Sequence, residues 1–238
     1  PASGGTYVYG RRQLGPFWGF LAGWGFIVGK VASCAAMALT IGAHAWPRWQ
    51  RPIAVTAVVA LTAVNALGIR KTALAAKVIV TAVLAVLAVA VAGIAFGGAT
   101  STARLGGADA DIDGVLQSAG VLFFAFAGYA RVATLGEEVV EPERTIPRAT
   151  AAALGATLAV YAVVAAAVLL ALGPHAVAES DAPVVDAVRV GRLADLGALV
   201  RAGGALAALG VLLSLIAGVS RTVFAMAADR EFPRWFEA

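Results

Sequence analysis

Apolar residues in this chain come in long runs, and most charges are confined to the stretches between them. Six runs have the length of membrane-crossing helices: roughly 17–43, 53–68, 77–97, 115–136, 149–172 and 198–227. A bilayer interior of about 30 Å is spanned by about 20 apolar residues in a helix. Lipid offers no partner to a bare peptide group, so each run is expected to be helical. Alanine, valine and leucine fill the runs, and Gly19, Gly23, Gly203 and Gly204 suit close helix packing.

Composition excludes several classes. Of 238 residues, 61% are hydrophobic and only 13% are charged, about half the ~25% charge of a soluble domain. A water-soluble enzyme and a disordered chain are both ruled out on that ground. A single cysteine, Cys34, rules out a disulfide scaffold. The net charge of +4 is carried in small groups between apolar runs. No single basic patch forms, so no nucleic-acid partner is expected. The chain opens on Pro1 without a signal peptide and is expected to be a piece of a longer protein.

Lysine and arginine near span ends set orientation. One side holds ten: Arg11, Arg12, Arg70, Lys71, Lys77, Arg144, Arg148, Arg221, Arg230 and Arg234. The other holds six: Arg48, Arg51, Arg104, Arg189, Arg192 and Arg201. The bias places both ends of the chain in the cytoplasm, with the spans in the cell membrane. Segments 98–114 and 173–197 become outer loops. Asp109, Asp111 and Asp113 alternate in the first of these, but the run lacks the downstream glutamate of a calcium loop. A solvated loop is expected there.

Lys30 breaks the first run near its middle, where insertion costs roughly 2.5–3.5 kcal/mol. Helical spacing puts Ser33, Cys34 and Met37 on its face. Two readings are open: a lysine buried against a carbonyl or carboxylate, or a residue lining a polar cavity. The fourth run carries FFAFAGYAR at 123–131, four aromatics around Gly128, followed by Arg131, Glu137 and Glu138. Packing explains such a cluster. So does a helix interrupted at its small residues, with carbonyls free to receive a cation. In GEEVVEPERTIPRA at 136–149, Pro142 and Pro147 end one helix and restart the next, with Pro147 expected in the first turn. His44 and His175 lack ligand spacing, and no metal or cofactor site is expected. No nucleophile–base pair supports an enzyme.

Three segments resemble the amino acid–polyamine–organocation superfamily, specifically its bacterial amino acid permeases. They are SGGTYVYGRRQLGPFWGFLAGW at 3–24, FFAFAGYARVATLGEEVVEPERTIPRA at 123–149 and GVSRTVFAMAADREFP at 218–233. The resemblance implies an all-α membrane protein with a LeuT-like inverted repeat, of which this chain is similar to helices three to eight. It also implies a broken helix near 123–128. Phe123, Phe124, Ala125, Phe126, Ala127 and Gly128 match the element whose carbonyls receive the substrate ammonium, with Phe124 and Phe126 as aromatic contacts. Lys30, with Ser33 on its face, matches a third-helix position that faces substrate in some members, where an uncharged polar residue can occur. Ser214 matches a hydroxyl that serves a coupling cation in sodium-driven relatives. Val83 stands where some proton-coupled members carry a lysine. The implied activity is secondary transport of an amino acid by alternating access, coupled to H+ or Na+. Two alternatives are a non-transporting sensor with the same fold and a truncated remnant.

Overall fold

A computed structural model describes residues 5–98, 100–105, 111–126, 128 and 141–232. Among the described residues the protein is all-helical, with no strand. The helices are α1 (Thr6–Leu14), α2 (Pro16–Ala45), α3 (Gln50–Ala66), α4 (Ile69–Phe96), α5 (Ile112–Phe126), α6 (Pro142–Leu172), α7 (Pro174–Glu179), α8 (Pro183–Val190) and α9 (Leu196–Ala228). Helices occupy the described part of each of the six apolar runs, which for 115–136 reaches as an unbroken stretch only to Phe126. Among the described residues, four stretches are long and apolar enough to cross a membrane: Pro16–Ala45, Lys71–Phe96, Glu143–Leu172 and Leu196–Ala228. At 30 residues α2 is about 45 Å long, well beyond the hydrocarbon thickness. Large apolar side chains such as Leu74, Val78, Leu158 and Val163 point outward along α4 and α6, as lipid-facing positions do.

Helix boundaries follow local chemistry. Gly15 sits at φ +97°, a conformation that disfavours any side chain, and Pro16 then opens α2. The pair turns the polar α1 back against α2. At the other end of α2, Gly42 lies so close to the Gln50 backbone that a side-chain carbon has no room. That contact starts α3 antiparallel to α2.

The chain divides into two compact units. The first comprises Pro1–Ala76, Gly128–Ala153 and Ala208–Ala238. Its apolar core falls into two groups. One joins Ala38 and Ile41 of α2, Ala54 and Ala57 of α3, and Ala208 and Leu212 of α9. The other joins Tyr7 of α1, Ile27 of α2 and Met226 of α9. Since rising numbers in α2 meet falling numbers in α9, these helices run antiparallel. Alanine and glycine at the contacts bring the backbones close.

The second unit comprises Lys77–Ala127 and Leu154–Ala207. Its core gathers Ala90 and Ile94 of α4, Ala167, Val168 and Ala171 of α6, Val200 of α9, and Val185, Ala187 and Val188 of α8. Segment 173–197, expected as an outer loop, carries a buried helix. Its start is fixed by Pro183 and by Ser180, whose hydroxyl donates to Asp186 (2.6 Å) and accepts from the Ala182 amide (3.1 Å). Segment 98–105 is pinned to the same unit: the Ser101 amide donates to the Leu170 carbonyl, and the Arg104 guanidinium to that of Ala171.

One further expectation, that of Pro147 in a first turn, is corrected. Pro142 opens α6, and Pro147 lies inside that helix, so the amide it lacks removes one bond from an early turn. Asp111 caps α5, accepting from the Gly114 amide at 2.8 Å, and its carboxylate thus serves a helix start. Asp109, Arg131, Glu137 and Glu138 lie outside the described residues.

Candidate functional site

The expected interruption at 123–128 does not fall inside Phe123–Phe126. The α5 helix runs unbroken from Ile112 to Phe126, and Gly128 is exposed and no longer α-helical. Ala127 and the remainder of the expected span to 136 lie outside the described residues. Over the described residues α5 ends at Phe126, and there the Tyr161 hydroxyl of α6 donates to the Ala125 carbonyl at 3.3 Å. The Phe126 ring meets the same tyrosine edge-on, with centroids 5.3 Å apart. Phe123 projects outward, 64% exposed. The arrangement sets one peptide oxygen, that of Ala125, beside an aromatic pair, a setting that suits an ammonium group. Tyr161, the one aromatic in an alanine–valine run, was the available sequence signal for this contact.

Lys30, Ser33 and Ser214 belong to the first unit. Lys30 is half-buried on α2, with its ammonium 5.7 Å from the Phe26 ring centroid. Among the described residues no carboxylate pairs with it. Ser33, also half-buried, returns its hydroxyl to the Gly29 carbonyl at 2.9 Å, which occupies its proton and leaves lone pairs available. Ser214 is half-buried on α9 between the buried Leu213 and Leu215. On α3 and α9, the Asn65 side-chain amide donates to Ser220 at 3.3 Å, and the Ser220 hydroxyl to the Ala217 carbonyl at 3.1 Å.

A charged network went unrecognised in the sequence. The Tyr7 ring is fully buried (0% exposed) and its hydroxyl donates to Asp229 at 2.6 Å. Arg11, one helical turn on, pairs with Glu231 and lies 3.5 Å from Asp229. Burial, the bond to Asp229 and the nearby charges of Glu231 and Asp229 push the Tyr7 hydroxyl far above the usual tyrosine range, against the pull of Arg11. Burial opposes the Arg11 charge, but Tyr7, Asp229 and Glu231 outweigh it and hold its proton more firmly than in water. Arg230 makes the network possible. It takes φ +63°, the Arg230 amide bonds Ala227, and the Glu231 amide bonds Met226. This left-handed turn ends α9 and folds Glu231 back toward Arg11.

Both the helix content and these polar features suit a membrane carrier built of packed, partly interrupted helices. The amino acid permease family model matches residues 1–238, and the chain belongs to that family. It is 60% identical to an uncharacterized transporter of Mycobacterium tuberculosis, over 100% of this chain and 54% of that protein. It is 25% identical to the low-affinity putrescine importer of Escherichia coli, over 99% of this chain and 55% of the importer. Half of the chain is 34% identical to 19% of human cationic amino acid transporter 4. The chain thus spans about half the length of the first two of these relatives.

Proposed function

We propose that this chain forms part of a secondary transporter that carries amino acids across the cell membrane by alternating access, driven by H+ or Na+. The observation that supports it most is the family match along all 238 residues, set beside helices of membrane-crossing length. In this reading the carbonyls from Phe123 to Ala127 receive the substrate ammonium, with Phe124 and Phe126 beside it and Gly128 giving access. Lys30 and Ser33 bear on side-chain choice, and Ser214 supplies a hydroxyl to the coupling ion. Both ends of the chain lie in the cytoplasm. The names of two relatives point to amino acids and polyamines as the compounds to test.

Uptake of labelled amino acids and putrescine into proteoliposomes tests this. The protein that carries this chain is expected to accumulate at least one amino acid when a proton or sodium gradient is imposed. Uptake no greater than in empty vesicles, for all twenty amino acids and putrescine, overturns it.

A further inference from the structure

The buried stripe of α2 runs through Gly23, Ile27, Lys30, Cys34, Met37, Ala38 and Ile41, the spacing of a helix face packed on neighbours. Lysine stands where that pattern calls for an apolar residue. Its position coincides with the division of the first unit's core. Ile27 belongs to one apolar group, Cys34 and Met37 pack against the other, and no side chain between them joins either. The same division recurs on α9, where Ile216 packs with one group and Val219 with the other, leaving Ala217 and Gly218 between. On α3, Leu61 is the last residue of its group, and Asn65 follows one turn later. The antiparallel packing thus sets Lys30 and Asn65 at one level between the two apolar blocks, with the exposed Ser220 hydrogen-bonded to Asn65 at the edge of that layer.

We infer that this layer receives a carboxylate, and that the substrate class is amino acids with an acidic side chain. The inference rests on the transport reading above. A lysine at mid-helix depth costs several kcal/mol unless something compensates it. The Phe26 ring face offers only a weak attraction, and no described carboxylate balances the charge. An incoming anion does. The Asn65 amide gives one of its two N–H groups to Ser220 and has the other to donate, and neither Ser33 nor Ser220 is a competing negative charge. A substrate bearing an extra ammonium meets repulsion at the same place.

Isosteric pairs decide it. Binding of the twenty amino acids to the detergent-solubilised protein carrying this chain is measured by calorimetry for wild type, and that of glutamate, glutamine, aspartate and asparagine also for Lys30→Met and Lys30→Arg. Wild type is expected to bind glutamate or aspartate about ten- to hundredfold more tightly than its amide, the range of one charge-assisted hydrogen bond. Lys30→Met is expected to erase that preference and Lys30→Arg to keep most of it. Equal or tighter binding of the amide by wild type overturns the inference alone, and that comparison requires no variant. Retention of the acidic preference in folded Lys30→Met also overturns it. Failure of wild type to bind any of the twenty amino acids overturns both this inference and the transport reading.

Discussion

The Tyr7 phenol and the Asp229 carboxylate, 222 positions apart in sequence, are joined by a 2.6 Å hydrogen bond. Arg11 and Glu231 pair beside them, so the short α1 is fastened to the end of α9 at two points. Removing the hydroxyl while keeping the ring isolates the first point. Tyr7→Phe is expected to destabilise the protein by about 1–3 kcal/mol, the cost of a lost bond to a charged acceptor. Arg11→Ala is expected to cost more, because it leaves Glu231 (16% side-chain exposure) without its cation. Adding Glu231→Ala to Arg11→Ala is expected to cost less than the sum of the single changes. Thermal unfolding in detergent reads all three, and strict additivity contradicts the pairing.

The same hydroxyl sets a pH dependence with a defined sign. Its folded-state pKa lies above the unfolded value, so folding favours the protonated phenol. That stabilisation is complete below about pH 10, the unfolded tyrosine value, and is lost as pH climbs through the folded one. The melting-temperature gap between wild type and Tyr7→Phe is therefore expected to stay level from about pH 7 to 9 and to narrow above about 10. A gap that widens with rising pH contradicts the assignment.

Gly23 is one point where α2 passes close to this network. A β-carbon there meets the Met226 sulfur at 2.7 Å and the Tyr7 ring at 2.9 Å. Methionine yields more readily than backbone, so Gly23→Ala is expected to fold with a modest loss. Gly23→Val crowds both partners and is expected to cost a further 1–3 kcal/mol or so. Denaturant or thermal midpoints of the two variants test the ordering, which reverses only if the site has spare room.

Arg230 takes a left-handed backbone without being glycine. That conformation costs an ordinary residue roughly 1–2 kcal/mol. Arg230→Gly is expected to raise thermal stability and to leave the Arg11–Glu231 pair intact, since the turn and not the side chain directs Glu231. Arg230→Val, which resists positive φ, is expected to lower it. Identical midpoints for the two variants contradict a strained turn at this position.

The apolar runs revealed the long helices because each is much longer than a helical turn and its length alone is informative. Pattern gave much less for short elements. The eight residues of α8 bury Val185, Ala187 and Val188, too few positions for a period to emerge from the surrounding loop. Pro147 illustrates a local rule overridden by its neighbours: Pro142 is equally able to open a helix and does so five residues earlier. Lys30, Ser33 and Ser214 were each visible as polar residues within apolar runs. The partnership of Tyr7 with Asp229 was not, because it joins opposite ends of the chain and depends on the Gly15 turn that lays α1 against α2. Asn65 and Ser220 gain meaning only once α2, α3 and α9 are laid side by side.

The division of the first unit's core carries a consequence for how α2 loosens. Its two halves are held by separate sets of side chains, Ile27 with Met226 on one hand and Ala38 and Ile41 with Leu212 on the other. Neither half borrows rigidity from its neighbour across the lysine. Fraying that starts at one extremity is expected to halt at residue 30, so deuterium labelling of α2 amides is expected to show two exchange rates within a single uninterrupted helix.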